Sequence, residues 1–199
     1  MNKTYKSSNI IKRTFDLGLS SLFLIGLSPL FVVTAIAIII SSKGPAIYRQ
    51  ERLGRERKPF MMYKFRTMVK DAEKDGPQLA VAGDTRVTRT GKLLRKFHID
   101  ELPQFWNVMK GDMSFIGPRP ERGIYAKEIE KVLPEYARIY SVKPGITSLG
   151  MVKHGYASDI DNLVKRAKFD IEYLDKKNLT LDSKILVCTI KTIIQGKGV

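Results

Sequence analysis

The 199-residue chain carries 35 Lys and Arg against 20 Asp and Glu, a formal net charge of +15. That excess calls for an anionic partner: nucleic acid, a phosphorylated ligand or an anionic membrane leaflet. One cysteine, Cys188, excludes an internal disulfide and a multi-cysteine zinc site, and two histidines, His98 and His154, are too few for a histidine-based metal cluster.

The first predicted element is the apolar block Leu17–Ile40, which holds no charged residue and is long enough for a helix that crosses a bilayer. It fits a secretory signal poorly, because only SSKGPAIYRQ follows and no small-residue cleavage site is present. Ser28 and Pro29 interrupt it near the middle. Proline lacks an N–H and clashes with the carbonyl four residues back, so the axis bends there. A Ser28 hydroxyl redirected to a freed carbonyl would stabilise the bend. Basic residues crowd both flanks: Lys3, Lys6, Lys12 and Arg13 before, Lys43, Arg49, Arg52, Arg55, Arg57 and Lys58 after. Basic flanks prefer the cytoplasm, so a re-entrant helix is expected over a straight span, with arms of about 11 residues and ~16 Å. Asp16 stands at the mouth of this segment, where Lys12 and Arg13 are spaced to pair with it.

Beyond the block, Ala46–Gln50 and Phe60–Phe65 read as a small β-hairpin around a charged turn. Val69–Gly91 reads as a polar loop, a candidate mobile or active-site segment. A helix beginning at Pro103 is expected to end near Gly111. The stretch RGIYAKEIEKVLPEYARIY reads as helix interrupted at Pro134, and SVKPGITSLGMVKHGY as a Gly/Pro loop. Asp161–Lys176 and Leu181–Ile194 have helical apolar spacing. The last helix packs in the core or lies on the membrane surface, with the core placement favoured. The expected fold is α+β and mostly helical: a re-entrant helix anchor over 1–44, then a cytoplasmic part over 45–199 with a hairpin and interfacial amphipathic helices, all in one membrane-associated domain.

The densest chemistry lies in KLLRKFHIDELPQFWNVMKGDMSFIGPRPE. Asp100 and Glu101 fall at the N-terminus of the helix started by Pro103, where the dipole favours ionised carboxylates. Such acids are usually helix caps. Around this pair, however, stand Arg95, Arg119 held stiffly between two prolines, and Lys64 and Arg66 of YKFRTM. Acids beside several ordered cations suit a phosphorylated substrate. The cations neutralise phosphate oxygens, and a carboxylate holds a divalent metal or attacks phosphorus. The P-loop, dinucleotide and nucleophile-elbow motifs are absent from the sequence. Nucleic acid is the rival reading of the charge, but neither a zinc pattern nor an aromatic RNA-binding signature supports it.

These stretches together resemble the bacterial sugar transferases, the small monotopic phosphoglycosyl transferases that start lipid-linked glycan assembly. The resemblance runs over nearly the whole chain. It is carried by KRTFDL, the Ser-Pro within the apolar block, GPAIYRQERLGRERKPFMMYKFRTM, DELPQFWNVMKGDMSFIGPRPE and KPGIT. It implies transfer of a sugar-1-phosphate from a nucleotide diphosphate sugar to a polyprenol phosphate, with magnesium, at the cytoplasmic face of the inner membrane. It implies Asp100 as nucleophile and Mg²⁺ ligand, Glu101 as its partner in metal or proton handling, and Arg95 and Arg119 on phosphate oxygens. Lys64, Arg66 and Lys143 are further candidates for the nucleotide or lipid phosphate. Lys12, Arg13, Asp16, Ser28 and Pro29 belong to the anchor. A homodimer is compatible with this reading. The run Ser148–Tyr156 departs from the family pattern after PGIT, so sugar specificity does not transfer. The rival function is a non-catalytic, membrane-anchored basic protein that binds anionic lipid or nucleic acid.

Overall fold

The computed structural model describes residues 3–74, 76–81 and 83–196, with side chains from residue 10 onward; the side chains of Lys3 and Lys6 lie outside those described. Two helices open the chain, α1 (Lys3–Gly26) and α2 (Ser28–Ser41). Among the described residues no single helix is long and apolar enough to cross a membrane, but Ile10–Gly26 and Ser28–Ser41 together are, with a bend of 61° between them. The bend has the cause expected. An unbroken helix would have a residue-29 N–H donating to the Ile25 carbonyl, and Pro29 has none. The Ser28 hydroxyl donates to that carbonyl instead, at 2.7 Å.

Strands β1 (Ile47–Leu53) and β2 (Pro59–Phe65) form the antiparallel hairpin, paired from Ile47↔Phe65 to Leu53↔Pro59. The first strand runs three residues past its expected end at Gln50. The polar segment after β2 folds back through a Met68↔Val87 bridge and gives way to α3 (Arg89–Lys96), an unexpected helix whose first three residues fall within the expected loop Val69–Gly91. A 3-10 turn over Ile99–Glu101 leads through Leu102 and Pro103 into α4 (Gln104–Lys110), and Gly111 ends it at φ +93°.

Strand β3 (Ser114–Ile116) follows, then α5 (Gly123–Val132) and a 3-10 stretch Pro134–Ser141, so the helix does break at Pro134. Strand β4 (Gly145–Thr147) pairs with β3 in parallel, Ser114↔Gly145 and Ile116↔Thr147. A Cβ at Gly145 would lie 2.2 Å from the Gly117 nitrogen, so only glycine lets the chains approach this closely. The chain closes with α6 (Leu149–Lys153), α7 (Ile160–Lys176) and α8 (Leu179–Ile194).

Two apolar cores fix the positions of the helix pair. Phe23 of α1 stacks on Phe105 of α4 with centroids 5.0 Å apart, and Phe105 meets Phe115 of β3 at 5.4 Å. Ile38 of α2 is buried against Phe65 and Leu94. A third core joins α5, the 3-10 stretch and α7 around Ile129, Tyr136 and Leu163. Helix α8 buries Ile185 but leaves Val187, Ile190 and Ile194 exposed. It therefore packs on the core by one side only and keeps an apolar face outward.

Candidate active site

The backbone turns sharply before the two acids. His98 adopts a left-handed conformation, φ +54°, and the 3-10 turn places Asp100 and Glu101 immediately ahead of α4. Both are buried, at 4% and 7% exposure, which costs several kcal/mol per uncompensated charge. The compensation differs between them.

Glu101 is saturated. Lys64 of β2 donates to its Oε1 at 2.7 Å, and Arg119 grips both oxygens, with Nη1 3.2 Å from Oε2 and Nη2 on Oε1. Burial alone would raise the Glu101 pKa, but Arg119 and Lys64 outweigh it and hold the carboxyl well below its ordinary value. Asp100 is the opposite case. Its Oδ1 is buried without a hydrogen-bond partner. Burial raises its pKa, Lys64 pulls it down, and the Glu101 charge pushes it up again, with Arg95 and His98 opposing.

Arg119 is placed by more than its two prolines. Pro118 and Pro120 are fully buried, the Arg119 N–H donates to Asp170 Oδ2 at 3.0 Å, and Nη1 also donates to the Ile146 carbonyl at 2.9 Å. Asp170, on α7, takes a second bond from the Gly150 N–H at 2.8 Å. It thus pins the Pro-Arg-Pro turn and the start of α6 at one point. Burial raises its pKa to about 6. The sequence reading missed Asp170; its one signal was a carboxylate inside the apolar stripe of α7, between Ala167 and Ile171.

The other expected residues divide into groups. Arg95 donates from Nε to Thr67 Oγ1 at 2.9 Å and acts on Asp100 through space. Arg66 does not face the acids. It donates to the Ser42 carbonyl at 2.7 Å, to Ser42 Oγ at 2.9 Å and to the Lys43 carbonyl at 3.0 Å. It therefore closes the C-terminal end of α2, where carbonyls lack helical partners. Arg13 does the same for α4, donating to Val108 and Met109 carbonyls at 2.6 and 2.9 Å. Lys12 pairs with Asp182 at 3.1 Å. The expected pairing of Lys12 and Arg13 with Asp16 is thus corrected: Asp16 accepts from the Phe115 N–H at 3.1 Å, because α1 docks this face on β3 rather than leaving it in solvent. Lys143 lines a different cavity, with Lys12, Arg13 and Asp16.

Two aromatic residues complete the surroundings. Tyr156 stacks on His98 with centroids 6.2 Å apart, and burial together with the charges of Glu101 and Asp100 raises its pKa. Both lie in or beside segments singled out for other reasons, and neither was expected at the site. Among the described residues no cluster of three or more acidic, histidine or cysteine side chains could cage a metal.

The family model of bacterial sugar transferases matches residues 7–196. The chain is 43% identical over 188 residues to the UDP-N-acetylgalactosamine-undecaprenyl-phosphate N-acetylgalactosaminephosphotransferase of Aeromonas hydrophila, covering 94% of this chain and 44% of that protein. It is 39% identical over 183 residues to the UDP-glucose:undecaprenyl-phosphate glucose-1-phosphate transferase of Klebsiella pneumoniae, covering 91% and 39%. A transferase of the same description from Caulobacter vibrioides is 39% identical over 187 residues, covering 92% and 69%. The chain thus spans less than half of the first two relatives.

Proposed function

Because the chain belongs to the bacterial sugar transferase family, we propose that it transfers a sugar-1-phosphate from a nucleotide sugar, a UDP-sugar in the relatives, to undecaprenyl phosphate. The observation that carries this reading is the asymmetry of the two acids. A carboxylate engaged by Lys64 and Arg119 positions cations, whereas one with a buried, unpartnered oxygen is free to form a bond.

In the first step an Asp100 oxygen attacks the phosphorus that bears the sugar. The bond from that phosphorus to the bridging oxygen breaks, and nucleoside monophosphate leaves with the electron pair. In the second step a phosphate oxygen of the polyprenol phosphate attacks the same phosphorus. The acyl phosphate bond breaks, Asp100 is restored as a carboxylate, and a polyprenol diphosphate sugar departs. The cations Lys64, Arg95 and Arg119 lower the repulsion between an anionic nucleophile and an anionic donor. Burial, joined by the Glu101 charge, raises the Asp100 pKa against the pull of Lys64 and Arg95.

Magnesium fits this donor set. Mg²⁺ is commonly held by one or two carboxylates, substrate phosphates and waters rather than by an all-protein cage, and Asp100, whose Oδ1 has no hydrogen-bond partner, would supply one such ligand. When bound, it would polarise the phosphoryl oxygens and offset their charge. Glu101, occupied by Arg119 and Lys64, holds those cations in place and keeps like charge beside Asp100.

The helix pair supports a re-entrant membrane anchor and a place on the cytoplasmic face of the inner membrane. Arg13 and Ser42 flank the apolar stretch, and both are hydrogen-bonded to the same charged body, to α4 and Arg66 respectively. Both ends are therefore tied to one body, as a re-entrant anchor requires. Ile25 and Ile40 are 75% and 81% exposed, an arrangement suited to lipid rather than water. With a 61° bend, symmetric arms would dip about 10 Å at 1.5 Å per residue, short of the ~15 Å to the bilayer midplane. The relatives' names differ in the sugar, so the sugar is left open.

The test is release of nucleoside monophosphate from a panel of nucleotide sugars with polyprenol phosphate in detergent. Turnover with at least one donor, lost in Asp100→Asn, is expected; a purified protein inert to the whole panel would favour the non-catalytic binding role.

A further inference from the structure

Lys143, singled out in the KPGIT motif, has no place at the acid pair. It lines a cavity of about 730 Å³ at the base of α1, bounded also by the start of α8. Five basic and three acidic side chains line this space. The acidic ones are spoken for. Asp182 takes Lys12, Asp16 accepts from the β3 backbone, and Glu56 takes Lys58 at 2.7 Å and the Arg55 Nε at 3.3 Å, which leaves the outer nitrogens of Arg55 for another acceptor. The Lys143 ammonium has neither a hydrogen bond nor an ion pair among the described residues. Arg13 uses two of its donors on α4 carbonyls, and a guanidinium has five.

The two cations converge on one point. A Cβ placed at Gly111 would lie 3.4 Å from Lys143 Nζ and 3.5 Å from Arg13 Nη2. Gly111 has φ +93° and no side chain, so the space between them stays open. Burial, and then the charges of Arg13 and Arg55, lower the Lys143 pKa, outweighing the opposing charges of Asp16 and Asp112. Like charges held this close are relieved by an anion between them.

We propose that this cavity is a second anion site, separate from the Asp100 centre, that binds a phosphate group through Lys143, Arg13 and Arg55. The volume exceeds what phosphate alone needs, and Ile116, Val142 and Leu179 line the remainder. A phosphate carried on a lipid headgroup matches that mixture; this choice of source rests on the membrane reading of the helix pair, whereas the site itself does not.

The experiment uses the full chain in detergent with Asp100→Asn, so that the outcome is independent of the catalytic reading. Cys188→Ser removes the native thiol, and Ser141→Cys at the cavity rim carries an environment-sensitive dye. The probes are dihexanoyl phosphatidic acid, dihexanoyl glycerol and inorganic phosphate. A saturable response to phosphatidic acid is expected, at least tenfold weaker in Lys143→Gln and in Arg55→Gln and retained in Lys143→Arg. Phosphatidic acid binding at least tenfold tighter than inorganic phosphate assigns the lipid as source; equal affinities assign free phosphate to the same site. Dihexanoyl glycerol binding as tightly as phosphatidic acid, or affinity unmoved in both neutral variants, would overturn the proposal.

Discussion

Asp100 and Glu101 are neighbours in sequence held in opposite states: Glu101 shares its oxygens with Arg119 and Lys64, while Asp100 keeps one buried oxygen without any partner. Removing either should therefore fail differently. Asp100→Asn is expected to abolish turnover with little change in thermal stability, because no hydrogen bond is lost from Oδ1. Glu101→Gln leaves two buried cations facing a neutral amide, and breaking a buried pair from one side costs about 3 kcal/mol. A lowered melting temperature for Glu101→Gln and an unchanged one for Asp100→Asn would bear this out. Equal losses of stability would contradict it.

Arg66 gives a second prediction. Its bonds run to the end of α2, so Arg66→Ala should cost about 2 kcal/mol of stability, the worth of a charged hydrogen bond. Its KM for the nucleotide sugar should stay within twofold. Denaturation midpoints and steady-state kinetics on the same protein separate the two, and a raised KM at unchanged stability would return Arg66 to the phosphate site.

The bend yields a third. Pro29→Ala restores the N–H for the Ile25 carbonyl, and Ser28→Ala removes the substitute donor. The double variant should straighten the helix pair. A cysteine at residue 4, in a Cys188→Ser background, is expected to be shielded from an impermeant thiol reagent outside intact cells in the parent and labelled in the double variant. Labelling in the parent would mean a spanning helix.

Asp170 makes a pH prediction. Its folded pKa, about 6, lies above the ordinary 3.8. Between these values the folded state binds more protons, so this group's contribution to stability is greatest below pH 4 and declines as pH rises to 6. Activity should run the other way. Below pH 6 the carboxyl gains a proton and loses an acceptor for the Arg119 or Gly150 N–H. An acid limb near pH 6 in kcat/KM is expected, altered in Asp170→Asn; an identical limb in that variant would assign it to another group.

The legible parts of this chain were those written locally. Pro103 and Gly111 bracket α4, Pro134 breaks a helix, and Ser28 with Pro29 makes the bend, each through the chemistry of one or two adjacent residues. The pairing of β3 with β4 was not legible, because SFI and GIT are three residues each and lie far apart in sequence. The same distance hid Asp170, whose partners lie 51 and 20 residues away. Arg66 and Arg13 carry charges that suit phosphate, yet their ends meet helix carbonyls that only the fold brings near. Asp100, Glu101, Arg95 and Arg119, which lie within one stretch of sequence, do gather, and Lys64 joins them from the separate YKFRTM stretch.

The covalent step is the centre of the account, and the mass of one peptide measures it. The protein is incubated with a turned-over nucleotide sugar in the absence of polyprenol phosphate, quenched in acid and digested. A sugar-phosphate increment on the peptide containing Asp100, cleared by adding polyprenol phosphate, is the predicted result. An unmodified peptide from protein that turns over fully once both substrates are present would contradict it.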